Sequence, residues 1–137
     1  MRVVPIAAGF FIVLLGLIAA ADTGELGPLK VVYSFQYGDK AGHFILLGTL
    51  ALLVDLALLQ VLPKSKPQTL VLAGSSVIAA LISLEEMSQL WVPTRNPDWF
   101  DLLASYAGIV AGTLAALALR DLVRPRGASN DAPGNTA

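Results

Sequence analysis

Four apolar runs limit what this chain can fold into. They are "VVPIAAGFFIVLLGLIAAA" (3–21), "HFILLGTLALLVDLALLQVL" (43–62), "QTLVLAGSSVIAALISL" (68–84) and "DLLASYAGIVAGTLAALAL" (101–119). Each is close to the roughly 20 residues that a helix needs to cross a hydrocarbon core of about 30 Å, and the third is expected to run on towards Gln89. Inside lipid the backbone must satisfy its own polar groups, which a helix does within a single segment. The expected fold class is therefore all-α, an integral membrane bundle of four transmembrane helices. Composition agrees, with 55% apolar and 14% charged residues, the latter well under the roughly 25% of soluble domains. Mean hydropathy is +0.70. At 137 residues the chain holds one membrane domain, 1–119, followed by a tail, 120–137, whose Pro, Gly, Ser and Asn content predicts disorder.

Several classes drop out at once. With no cysteine, neither a disulfide framework nor a thiolate metal site is possible. A net charge of −1 gives no basic field for nucleic acid. Lys and Arg set the orientation. Arg2, Lys64, Lys66, Arg120, Arg124 and Arg126 fall on one side of the four spans, against Lys30, Lys40 and Arg95 on the other. The positive-inside rule then puts both termini in the cytoplasm and the 22–42 and 90–100 loops outside. Tyr33, Phe35, Tyr37, Phe44, Trp91, Trp99 and Phe100 lie at the outer ends, as an interfacial belt would. The first run also has features of a cleaved signal peptide, with Ala19, Ala20 and Ala21 ahead of Asp22. Its 19 apolar residues exceed the usual h-region, so a retained span is expected. The chain is thus expected in the cell (inner, cytoplasmic) membrane as a multi-pass protein.

The segment "SLEEMSQLWVPTRNPDWFD" (83–101) interrupts this economy of charge with Glu85, Glu86, Gln89, Arg95, Asp98 and Asp101. Antiparallel neighbouring helices bring it to the membrane level of "GDKAGH", which carries Asp39, Lys40 and His43. Ionisable groups at that depth normally pair or line a cavity. Gln89 is three residues from Glu86 and four from Glu85, so at least one carboxylate shares its helix face. Asp101, Ser105, Gly108 and Gly112 form a stripe at spacings of three and four, and small residues so spaced let membrane helices approach closely. We expect Arg95 to fold back from its Pro93-bounded loop onto Glu86 and Asp101, with Asp39 and Lys40 closing the cluster. The expected role of Asp98, after Pro97, is an N-cap. Within the second run, Asp55 lies level with Ser75 and Ser76 to within a helical turn. The expectation is a neutral carboxylic acid hydrogen-bonded to one of them.

These motifs, "DKAGHF", "EMSQLWVPTR" and "DLLASYAGIVAG", resemble in order those of the VanZ-like membrane proteins, over residues 38–116. The matching positions are Asp39, Lys40, His43, Phe44, Glu86, Gln89, Pro93, Arg95, Asp101 and Gly108, while Ser105 stands where the family usually shows Asn. The family's named member is associated with teicoplanin resistance, and the resemblance brings no catalytic reaction with it. It implies an envelope protein whose ligand-binding or functional cluster is Asp39, Lys40, His43, Glu86, Gln89, Arg95 and Asp101. Ser105, Gly108 and Gly112 serve helix packing. The expected partners are membrane lipid and a lipid-linked cell-wall precursor or glycopeptide. No catalytic residue, cofactor or metal is expected: His43 reads as an interfacial histidine rather than a metal ligand, even with Asp39 and Glu86 nearby. The alternatives are a membrane enzyme acting on a lipid head group or cell-wall precursor, with Glu86 and His43 as acid–base groups, or a structural subunit.

Overall fold

The computed structural model describes residues 2–23, 27, 37–92 and 97–123. Helix α1 is Val3–Asp22, α2 Gly38–Val61, α3 Pro67–Ser88 and α4 Trp99–Val123. A 3-10 turn, Gln89–Trp91, prolongs α3. No strand occurs among the described residues. All four helices are long and apolar enough to cross a membrane.

Two boundaries differ from the apolar runs, and both shifts have local causes. Helix α2 begins at Gly38 rather than His43, because Ala41 N–H already bonds the Tyr37 carbonyl at 3.0 Å and Asp39 sits in the first turn. A carboxylate there suits the positive end of the helix dipole. Asp39 and Lys40 are thus helical residues instead of loop residues, with Asp39 one turn before His43. Helix α4 runs to Val123, with Arg120 in its last turn where a cation is favoured. Residues 120–123 of the expected tail are therefore helical, and 124–137 lie outside the described part. Helix α3 starts with Pro67 at its head, the position where a missing N–H costs least.

Helix α2 is the hub: it packs against α1, α3 and α4, and α3 also meets α4. Directions alternate along the chain. One end of the bundle gathers the start of α2, the end of α3 and the start of α4. The opposite end is closed by Val3, Leu56, Leu59, Val71, Ala116 and Val123. A second apolar cluster, including Leu14, Leu47, Leu50, Ile78 and Ile109, fills the middle.

Among the described residues the helix backbones approach closely between α2 and α4. A Cβ built on Gly48 would lie 2.9 Å from the Gly108 carbonyl oxygen, and Cβ atoms on Gly108 and Gly112 would overlap the carbonyl oxygens of Phe44 and Gly48. Only glycine fits these positions. The stripe Asp101, Ser105, Gly108 and Gly112 is buried along this seam, which brings the polar ends of α2 and α4 together.

Candidate functional site

At the gathered end, Lys40 joins two helices. Its Nζ lies 2.8 Å from Asp98 Oδ2 and 3.0 Å from Asp101 Oδ1. Asp98 also accepts the Phe100 N–H through Oδ1 at 2.8 Å, which makes it the N-cap of α4. The Lys40 ammonium, helped by that N–H, holds the Asp98 carboxyl below the usual carboxylate range. Sequence reasoning assigned Asp98 the cap and overlooked the ion pair. The signal was present, because carboxylates three residues apart at one helix start lie within reach of a single ammonium.

Helix α3 contributes a buried layer under this pair. Glu86, 5% exposed, accepts the Asp98 backbone N–H at 2.8 Å through Oε1 and Gln89 Nε2 at 3.2 Å through Oε2. Gln89 Nε2 is also 3.2 Å from each carboxylate oxygen of Glu85. A carboxylate of α3 thus ties the first turn of α4, and both of its oxygens are used. The expected contacts of Arg95, with its Pro93-bounded loop, fall on residues 93–96, outside the described part. Among the described residues the cation on Asp101 is Lys40.

His43 and Ser105 form the third element. Ser105 Oγ donates to the Asp101 carbonyl at 2.9 Å and lies 3.1 Å from His43 Nδ1. His43 Nε2 is 3.9 Å from Asp39 Oδ1, too long for a hydrogen bond. Ser105 therefore carries the polar link at its position with a hydroxyl. The Ser–His pair has the outline of a nucleophile and its base. Ser105 is 0% exposed and its proton is committed to a backbone carbonyl, so it is held as a strut.

Among the described residues, Asp39, Glu85, Glu86, Asp98 and Asp101 share this end with the single ammonium of Lys40. Such a set accepts hydrogen bonds and favours cationic or donor groups. Around it Tyr37, Phe44, Trp91, Trp99 and Phe100 are exposed, Trp91 and Trp99 to 76% and 77%. Large amphipathic rings in that position match a membrane interface.

A separate polar group lies inside the bundle. Asp55 is 0% exposed, and its Oδ2 accepts Ser75 Oγ at 3.0 Å. Ser75 is in turn hydrogen-bonded to Thr113 of α4. Of the two serines expected beside Asp55, Ser75 makes the contact and Ser76 is exposed. Asp55 Oδ1 has no hydrogen-bond partner among the described residues and sits against Gly74. Thr113 was not foreseen, although a hydroxyl beside Gly112 on the packed side of an apolar helix is a usual source of interhelical bonds.

No protein-family model matches the chain, and searches of curated proteins and of solved structures find no match either.

Proposed function

We propose that this chain is a VanZ-like protein of the cytoplasmic membrane, with α1 retained, both termini inside and the polar cluster facing outward. There the cluster binds a lipid-linked or glycopeptide-type ligand and influences glycopeptide resistance, without catalysing a reaction. The observation that carries this reading is the graded exposure of the cluster. The Asp39, Lys40 and Asp98 side chains are 46%, 29% and 39% exposed, over buried Glu86, Gln89 and Asp101. A polar head group can reach the upper layer, while the lower layer holds it in place. Arg95 lies outside the described residues; it stands three residues before Asp98 in sequence, and a guanidinium is the group suited to gripping carboxylate or phosphate in a bidentate fork. The orientation is supported by Arg2, Lys64, Lys66 and Arg120, which fall at the end away from the cluster. Retention of α1 is supported by Leu14 in the central core and by the Val3 N–H bonded to Gln60 Oε1 at 3.0 Å.

The test is expression in a teicoplanin-susceptible host. The wild-type chain should raise tolerance, and Arg95→Lys should remove the effect at unchanged membrane abundance. Equal loss of abundance and tolerance would mark the cluster as a structural lock. A reporter fused after Ala137 should respond only in the cytoplasm, and one at Glu25 only outside.

A further inference from the structure

We propose that Asp39, His43 and Asp101 form a binding site for a divalent transition cation of the Zn2+ class. One ligand atom from each of the three lies within 4.8 Å of the others. Asp39 and His43 are one turn apart on α2, and the glycine-tight seam brings Asp101 of α4 against them. From sequence only the first two form an obvious pair. A metal held by His43 with Asp39 and Glu86 is not expected from sequence; the helix crossing supplies Asp101 as the third ligand instead.

The hydrogen bonds determine how the imidazole is presented. Ser105 spends its proton on the Asp101 carbonyl, so toward His43 it can only accept. His43 Nδ1 must therefore carry the N–H that points at Ser105. In the neutral ring this leaves the Nε2 lone pair directed to the side of Asp39, 3.9 Å from its Oδ1. Three donor atoms thus lie close enough together to face a single cation. Lys40 binds Asp101 through Oδ1 and is drawn toward Asp98, which leaves Asp101 a second oxygen. Glu86 adds negative charge nearby but has both oxygens committed.

The donor set selects the ion class. One imidazole with carboxylates favours transition cations over Mg2+ and Ca2+, which prefer all-oxygen shells. Zinc holds such ligands at about 2.0–2.2 Å, which needs the three atoms to close by roughly an ångström. The half-exposed Asp39 side chain can make that move. An N–H donated from the far side of a ligating histidine, as to Ser105, is the usual means of fixing ring and tautomer. Three protein ligands leave a further position for water or an anionic oxygen.

The experiment uses untagged, chelator-stripped protein in detergent, titrated with Zn2+ by equilibrium dialysis and elemental analysis. One Zn2+ per chain should bind and survive excess Mg2+ and Ca2+. His43→Asn keeps a polar atom at the Nδ1 position toward Ser105 and removes Nε2, so affinity should fall by about 100-fold, and Ser105→Ala should lower it by about 10-fold. His43 is the only histidine, so a readout without any substitution is available: Zn2+ should protect the wild-type chain from diethyl pyrocarbonate, and Mg2+ should not. Absence of stoichiometric Zn2+, failure of protection, or unchanged affinity in a folded His43→Asn protein would overturn the site.

Discussion

Helices α4 and α1 both pack on α2, yet they are held there by different means. Against α4 the backbones meet at Gly48, Gly108 and Gly112, and Lys40, His43 and the Asp55–Ser75–Thr113 chain cross between helices. Against α1 the contact is apolar apart from the Val3 N–H bonded to Gln60 Oε1, and Gly9 and Gly16 face open space. A crevice of about 710 Å3, lined by Phe11, Leu14, Ile18, Val54, Gly74 and Ile82 among others, separates α1 from α3. Lipid tails are as apolar as leucine, so burying apolar surface does little to join helices in a membrane, and close packing with polar contacts decides which neighbours are fixed. By that criterion α2, α3 and α4 form a rigid unit and α1 a looser addition.

The largest expected effect lies on the tight side. Gly112→Leu or Gly108→Leu should cost about 3 kcal/mol or more, since overpacking here meets backbone that cannot move aside. Gly9→Ala on α1 should instead be neutral or gain up to about 1 kcal/mol from helix propensity. Reversible unfolding in mixed micelles measures both. Similar values for the two substitutions would break the comparison.

Next in size is the buried polar chain. Asp55→Ala should cost about 1–3 kcal/mol, because it leaves Ser75 without its acceptor in an apolar interior. Ser75→Ala and Thr113→Val should cost about 0.6 kcal/mol each, the usual value for interhelical bonds in membranes. If Asp55→Ala unfolds no more readily than wild type, this chain is not among the forces that hold α3 and α4 on α2.

The four long helices were legible because a helix able to cross lipid needs an apolar run, and only the first run, with Ala19, Ala20 and Ala21 ahead of Asp22, offered a second reading as a signal peptide. The helix ends were less legible, since "GDKAG" and "RDLV" are polar enough to pass for loop, and their helical state is favoured by Asp39 in a first turn and Arg120 in a last turn. The juxtaposition of Asp39, Lys40 and His43 with Glu86, Gln89 and Asp101 followed from alternating direction alone. Their pairing did not, because whether Lys40 meets Asp101 depends on how close the glycine seam brings α2 to α4. The link from His43 through Ser105 to the Asp101 carbonyl was hidden for the same reason.

A smaller effect distinguishes the two sides by pH. The folded-state pKa of Asp98 is depressed, so the stability from its pairing with Lys40 is fully present above the unfolded value of about 3.9. It is lost as pH falls from there through the folded pKa. Acid titration of unfolding should show this loss in wild type and less of it in Asp98→Asn. On the α1 side, Gln60→Leu should cost about 0.5–1.5 kcal/mol, since it removes the acceptor of the Val3 N–H. That cost should not vary over the same acid range.

The most direct test of a ligand site at the gathered end is lipid co-purification with Lys40→Gln, read by mass spectrometry beside the melting temperature of the same sample. The account predicts that a specific lipid-linked species leaves with the ammonium while the Gly48–Gly108–Gly112 seam keeps the bundle folded, with a melting temperature far above that of Gly112→Leu. An unchanged set of bound lipids, or a melting temperature as low as that of Gly112→Leu, would contradict it.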